Sequence, residues 1–347
     1  MKARPFVRVG TAWAVLAAMA PVAPGQTPSP AAQESPSPSP TPAIQPMPAT
    51  PQPPRRRPPI FEAGIEIIQL AVSVMDAHNR YVTGLREGDF AVFEDGIRQD
   101  LTLFNHDDIP ISLALMMDTS ASMDEKLKEA QDAAIRFVRT MRPQDKARVM
   151  QFNDRPTVLQ DFTNDMPALE SAVRRTESSG PTLLHNALYV VLKDLAREKK
   201  AGELRRRAIV MLSDGEDTGS LVTDEQVLEL ARQTEINIYS IALRSRGGER
   251  NRMSFSQAAH LLTAMARETG GQVYFPNSIS ELDAVYDRIA EELRTQYSLG
   301  YVSTNKRRDG RWRRVVVRTP ERDDLQVRHK IGYYAPRPVA GSGSPGR

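Results

Sequence analysis

The chain of 347 residues contains no cysteine. Disulfides, thiol catalysis, thiolate zinc sites and lipid attachment through an N-terminal cysteine are therefore excluded. Histidine is scarce: the five residues are His78, His106, His185, His260 and His329, and no two form a spaced pair, which argues against a histidine-based zinc site. An excess of one charge is missing as well. Forty-six basic residues stand against 43 acidic ones, and removal of Lys2, Arg4 and Arg8 leaves 43 against 43. The sequence pI of 9.1 thus gives little reason to expect nucleic acid or an anionic membrane as partner.

Long apolar runs are also lacking. The stretch from Thr11 to Val22 is too short for a comfortable membrane span, follows the basic Lys2, Arg4 and Arg8, and precedes the small residues Ala23-Pro24-Gly25. Residues 1–25 read as a signal peptide cut near Gly25, which implies a periplasmic, extracellular or cell-envelope location. Left uncut, the same segment is an anchor, and membrane contact is expected only in that case. Residues 26–59 are rich in Pro, Ser, Thr, Ala and Gln, with a Ser-Pro repeat from Ser35 to Pro40. Such a segment buries too little apolar surface to offset its ordering entropy, so it reads as an extended, disordered spacer. Residues 337–347 read as a disordered tail.

What is present is a core. Apolar residues make up 40% of the chain, enough for two ordered domains. Between residues 60 and 108 the apolar positions alternate: Ile65 and Ile67, then in shifted phase Leu70, Val72 and Val74, then Phe90 to Phe93, a Glu94-Asp95-Gly96 turn, and Leu101 to Phe104. This predicts antiparallel β structure too small to close alone. Residues 295–336 supply further strands around Tyr297–Val302, Arg314–Arg318 and Leu325–Arg328, so the two flanks are expected to pair into one small β domain. Residues 109–294 alternate buried strands with amphipathic helices, the pattern of an α/β fold with a mostly parallel sheet covered on both faces. Strands are predicted at Ser112–Met117, Ala147–Phe152, Ala208–Leu212, Ile236–Leu243 and Gln272–Phe275. Helices are predicted at Glu125–Met141, Met166–Thr176, Leu183–Arg197, Asp224–Thr234, Ser256–Glu268 and Ile279–Leu293.

Three fragments carry the chemistry. The strand ending at Met117 runs into Asp118-Thr119-Ser120-Ala121-Ser122, an Asp followed by hydroxyls two and four residues on. Ser179-Gly180-Pro181-Thr182 offers another hydroxyl before a helix. Ala208 to Leu212 runs out into Ser213-Asp214-Gly215. Ligands of such sheets bind at the carboxyl ends of the strands, where Asp118 and Asp214 both fall. An all-oxygen set suits magnesium, which takes about six hard oxygen ligands. Taken singly, each hydroxyl has a plainer use as a helix cap or turn bond.

Asp-x-Ser-x-Ser after a strand, a later loop threonine, and Ser-Asp-Gly after a further strand resemble the von Willebrand factor type A domain and its metal-ion-dependent adhesion site, over roughly Ile111 to Leu293. The resemblance implies a Rossmann-like, doubly wound sheet. It also implies a metal set of Asp118, Ser120, Ser122, Thr182 and Asp214, with the hydroxyls as direct ligands and the carboxylates often acting through water. Mg2+ or Mn2+ is expected, Ca2+ less so because few ligands are charged. The expected role is an exported, metal-dependent, adhesion-type interaction module of bacterial secreted type that binds a partner protein's Asp or Glu. The alternative is a structural or assembly subunit of an envelope complex. A metal-dependent hydrolase is disfavoured, because Ser120 stands where phosphoryl chemistry wants a second carboxylate, so no enzyme activity and no catalytic residue are expected.

Several charges have plain readings. Asp124 and Glu125 loosely resemble an integrin-type second metal position but suit the amino end of the following helix. Glu216 and Asp217 extend an acidic rim, and Arg244 to Arg252 reads as a loop. Lys306 to Arg314 is basic, but its Asp309-Gly310 predicts a hairpin turn with arginines outside rather than a nucleic-acid surface. Mass spectrometry of the exported protein should find an N-terminus near Gln26; an intact Met1 in the envelope fraction would show an anchor instead.

Overall fold

The computed structural model describes residues 67–106, 109–198, 205–214, 217, 219–243 and 249–337, with the side chains of 249–256 outside that description. The signal segment 1–25, the spacer 26–59, Ile65, Glu216 and all of the tail after Arg337 lie outside the described residues.

The chain enters through β1 (Ile68–Met75), β2 (Ala91–Glu94), β3 (Ile97–Gln99) and β4 (Leu101–Asn105). The central region follows as β5 (Ile111–Asp118), α1 (Asp124–Arg139), β6 (Lys146–Phe152), β7 (Pro156–Thr163), α2 (Met166–Arg174), α3 (Leu184–Arg197) and β8 (Arg206–Ser213). It continues through α4 (Asp224–Gln233), β9 (Asn237–Ala242), α5 (Glu249–Thr269), β10 (Val273–Tyr274) and α6 (Leu282–Thr295). The chain then leaves through β11 (Tyr297–Tyr301), β12 (Trp312–Arg318), β13 (Gln326–Arg328) and β14 (Gly332–Tyr334).

The six central strands form one sheet of order β10-β9-β8-β5-β6-β7, parallel except for the β6–β7 pair. Helices cover both faces. On one side Leu113, Leu115 and Met117 pack with α1, α2 and α6; on the other Ala114, Met116, Ile209 and Met211 pack with α3, α4 and α5. β5 therefore reads as continuous apolar sequence, as a strand buried on both faces must. Helix ends follow local rules. Asp124 and Glu125 open α1 where the helix dipole favours anions, and Thr223 with Gln226 forms a capping box on α4.

The edge strand β7 carries no expectation from the sequence. Its residues are half-buried or exposed in PTVLQDFT, because only an edge position on one side of β6 is filled, so the apolar period is weak. The segment from Glu249, expected to be loop as far as Arg252, is already helical in α5.

Strands of the two flanks are interleaved in two four-stranded sheets, β13-β1-β11-β4 and β14-β12-β2-β3. Ile68, Leu70, Val72 and Val74 of β1 meet Val92, Val315 and Val317 of the other sheet in a shared core with Tyr297, Leu299 and Tyr301. Ile68 rather than Ile67 takes the inward position, and Ile67 stays 41% exposed. The β2–β3 hairpin turns at Asp95 and Gly96, whose φ of 49° and 85° match the left-handed pair that this tight turn requires.

Asp309-Gly310 does not close a hairpin. Gly310 has φ 67°, but the flanking β11 and β12 belong to different sheets, so the connection crosses between sheets. Arg313 is accordingly inside, not outside. It is 2% exposed and pairs with the equally buried Glu94 at 3.3 Å, while Tyr301 and Tyr333 hydroxyls donate to the same carboxylate at 3.0 and 2.8 Å.

A second buried carboxylate joins the flank sheets to the central region. Glu292 of α6 accepts hydrogen bonds from Ser73 Oγ, Tyr81 OH and Tyr239 OH, each at 2.8 Å, and is ion-paired with Arg328 of β13. Removing one partner of a fully buried pair leaves an uncompensated charge and costs about 3–5 kcal/mol. Glu292→Ala should lose stability of that order in urea unfolding, and Arg328→Met added to it should recover part of the loss. A change below about 1 kcal/mol would show that the network carries no weight.

Candidate functional site

β5 lies in the middle of the sheet with β6 on one side and β8 on the other, so its carboxyl end is the point where the strand order reverses. Asp118 closes β5 and is fully buried. Its Oδ1 accepts the Ser120 N–H at 2.9 Å and its Oδ2 accepts the Ser213 hydroxyl at 2.5 Å. The carboxylate is thus aimed by its own loop and by the neighbouring strand, with spare lone pairs for water or an ion.

Ser120 is buried and Ser122 exposed. Their hydroxyl oxygens stand 3.0 Å apart. Asp214 follows β8 at the same edge and is also fully buried, with Lys126 Nζ of α1 at 3.7 Å from its Oδ2. The loop before α3 is pinned over this edge: the Ser179 N–H donates to Thr119 O at 2.7 Å, the Ala121 N–H to Gly180 O at 3.0 Å, and Ser178 Oγ to Ser120 O at 3.0 Å. Gly180 sits at φ 72°, a conformation that favours glycine, and the loop then delivers Thr182, 2% exposed. The structure therefore gathers Asp118, Ser120, Ser122 and Asp214 at one edge and places Thr182 on the loop pinned against it.

Ser213, Ser178 and Lys126 also belong to this constellation and escaped the sequence reading as site residues. Ser213 was visible as the residue before Asp214, and Lys126 as the basic residue one turn into the helix that follows the serines. Nothing in the sequence says that their side chains turn inward. Asp217 accepts from Ser220 Oγ at 2.6 Å, from the Ser220 N–H at 3.0 Å and from the His185 N–H in the first turn of α3 at 3.4 Å, so it ties its own loop to that helix.

Burial, and then the charge of Asp214, push the Asp118 carboxyl up to about 6 from the ordinary 3.8; the hydrogen bonds from Ser213 and Ser120 pull the other way. Two buried carboxylates sharing an edge repel, and a hard cation would offset that excess of negative charge. The hydroxyl pair suits a cation too. Neighbouring oxygens of an octahedron with metal–oxygen distances of about 2.0–2.1 Å lie about 2.9 Å apart, close to the separation of Ser120 Oγ and Ser122 Oγ. Among the described residues no group of three or more His, Asp or Glu is placed to hold a metal, so hydroxyls and water must complete any shell.

Residues 113–216, which run from β5 to just past β8, match the family model described as von Willebrand factor type A domain. Solved structures similar to the chain include BatB from Bacteroides thetaiotaomicron, at 16% identity over 52% of this chain and 98% of that one, with a TM-score of 0.40. The vWF domain of the type V pili tip protein Mfa5 from Porphyromonas gingivalis has 14% identity over 53% and 95%, with a TM-score of 0.42. A von Willebrand factor type A protein from Catenulispora acidiphila has 12% identity over 79% and 75%, with a TM-score of 0.44. No curated protein matches the chain.

The raised Asp118 carboxyl sets a pH dependence. Its folded value lies above the unfolded one, so the folded state holds the extra proton between about pH 4 and 6, and stability falls as pH rises through that window. In chelator, the protein should be more stable at pH 4.5 than at pH 7 by about 1–3 kcal/mol from this group. Asp118→Asn should remove that component and raise the pH 7 thermal midpoint. A midpoint at pH 7 that falls on this substitution would show that the two carboxylates do not oppose each other.

Proposed function

We propose that the edge formed by Asp118, Ser120, Ser122, Thr182 and Asp214 holds a divalent cation, Mg2+ or Mn2+ in preference to Ca2+. The observation that carries this reading is the 3.0 Å separation of the Ser120 and Ser122 hydroxyls beside two buried carboxylates. When bound, the cation supplies a Lewis-acidic position that a carboxylate from another protein can fill. The chain's own residues do the rest. Ser120, Ser122 and Thr182 place neutral oxygens close to the backbone, at small entropic cost, and so leave the ion's charge largely undiminished. Asp118 and Asp214 lie deeper and fully buried, suited to hold bound water.

On this reading the protein is an exported, metal-dependent interaction module of adhesion type, and its partner presents an Asp or Glu side chain. Support for export comes from the signal-like start and the Pro-rich spacer. Among the described residues no helix is long and apolar enough to cross a membrane. The role proposed is binding, not catalysis, because Ser120 occupies the place where an acid–base carboxylate would be needed.

Calorimetry should detect Mg2+ or Mn2+ binding to the full chain, lost in Asp118→Ala without loss of the circular-dichroism spectrum. Lys126→Met should bind the ion more tightly, because it removes a competing positive charge 3.7 Å from Asp214. Pull-down from the native envelope fraction should retain a partner in magnesium and lose it in chelator. Undiminished metal binding by Asp118→Ala would sink the site, and a partner retained in chelator would sink the metal-dependent role.

A further inference from the structure

Alternation along β12 turns Arg313, Val315 and Val317 inward, to Glu94 and the flank core, and leaves Trp312, Arg314, Val316 and Arg318 on the outer face of the β14-β12-β2-β3 sheet. The strand register carries that face sideways. Val316 stands opposite Phe93 of β2, and Phe93 opposite Arg98 of β3, so all three share it. Three arginines therefore border an apolar centre made by Phe93 and Val316. Arg314 and Arg318 are about 13 Å apart along β12, and Arg98 is about 10 Å from Val316 across two strands.

All three arginines are exposed, and none of their guanidinium groups has a carboxylate partner among the described residues. Two acids border the face. Asp95, at the tip of the β2–β3 hairpin, has its Oδ1 on the Arg314 backbone N–H at 2.9 Å. Asp100, exposed just past β3, makes no ion pair among the described residues.

The aromatic rings on this face are already occupied. The Arg318 guanidinium lies 5.7 Å from the Phe93 ring centroid, and that of Arg232 in α4 lies 5.9 Å from the Trp312 ring. The Trp312 indole rests against Gly332, where an added Cβ would stand 2.5 Å from its Cζ2, and Tyr334 meets it edge-on at 5.0 Å. A guanidinium held over a ring keeps its fork of donors free for a carboxylate. Phe93, Trp312 and Val316 are all half-buried. The face thus offers neither the deep apolar anchor that a protein partner buries nor a bare ring on which a base could stack. Its cations, about 10–13 Å apart by strand geometry, match charges spaced along a chain of neutral units rather than the dense phosphates of nucleic acid.

From this arrangement we propose that the outer face of the β14-β12-β2-β3 sheet binds an acidic polysaccharide, with carboxylates of separate sugar units taken by Arg98, Arg314 and Arg318. The backbone groups of β2 and β12 are engaged in ladders on both sides, so recognition runs through side chains. The envelope location expected from residues 1–25 would bring such polymers within reach. This surface lies in the flank strands and uses no residue of the metal edge.

The test titrates the full chain by calorimetry with polygalacturonate, neutral dextran, polyglutamate and a single-stranded DNA oligonucleotide, all in chelator so that no divalent cation bridges protein and polymer. Polygalacturonate should bind about tenfold or more tightly than the other three, and added salt should weaken it. Arg314→Glu combined with Arg318→Glu should weaken that binding about tenfold or more, and Arg98→Glu, on a different strand, should weaken it too. Because these side chains are exposed, the thermal midpoints should stay close to that of the parent. Arg197→Glu, an equal charge reversal at an exposed position of α3, and Asp118→Asn at the metal edge should leave binding unchanged. Four results overturn the proposal: no binding of polygalacturonate at millimolar uronate, equal binding by the Arg314→Glu, Arg318→Glu protein, an equal loss in Arg197→Glu, or binding of polyglutamate or the oligonucleotide as tight as that of polygalacturonate.

Discussion

The buried carboxylate of Glu292 is the constraint on which the arrangement depends. It lies on the last helix of the central region, yet its partners come from three other elements: Ser73 in β1, Tyr239 in β9 and Arg328 in β13, with Tyr81 from the turn after β1. Gln296 reinforces the cluster, its amide donating to Tyr239 OH at 3.0 Å and to Ser73 Oγ at 3.2 Å. Burial alone disfavours the Arg328 charge, but Glu292 beside it more than offsets this and the pKa of Arg328 is raised. The phenols of Tyr239 and Tyr81 are raised by burial and by the same carboxylate, so both remain donors at any ordinary pH. A charge this deep is tolerated only while every partner is present, so α6 cannot slide along the sheet without stranding it.

Fixing α6 has consequences at both ends of the sheet. Arg206 reads the carbonyls at the end of this helix, so the strand β8 that delivers Asp214 at one edge is tied to α6 at the other. β5 runs beside β8 in unbroken register from Ile111 with Arg206 to Met117 with Leu212. Asp118 and Asp214 therefore inherit their positions from two rigid central strands, while Ser122 sits in the 3-10 turn Ala121–Met123 before α1 and Thr182 on the loop before α3.

Legibility in the sequence followed the range of the interactions. β5, β8 and the helices α1, α3 and α4 could be read because their apolar spacing reports two-sided or one-sided burial directly. The candidate site could be read because Asp118, Ser120 and Ser122 lie within one turn of chain, and because Ser213-Asp214 ends a run that only a buried strand explains. β7 could not, since its single neighbour leaves no strong period. Arg313 was misjudged for a different reason. Its burial depends on Glu94, 219 positions away, and no local pattern distinguishes an arginine that has such a partner from one in solvent. Glu292 and Arg206 were silent in the same way.

A chain without cysteine must secure the pairing of distant segments by other means. Apolar packing among Val72, Val92, Val315 and Leu299 holds the two flank sheets together and excludes a slip by one residue, but a slip by two keeps the apolar face inward. The two buried carboxylates exclude that slip too. Glu94 belongs to the entering flank and, among the described residues, takes its side-chain partners from Arg313, Tyr301, Ser303 and Tyr333 of the leaving one. Glu292 requires both flanks at once, through Ser73 and Arg328. A slip by two residues in β1 or β12 would carry these partners out of reach and leave a charge buried alone, at a cost of about 3–5 kcal/mol. Against well-packed apolar residues such pairs add little net stability; what they contribute here is exclusion of the wrong pairings, and with it a fixed base for the loops that gather the hydroxyls at the far edge.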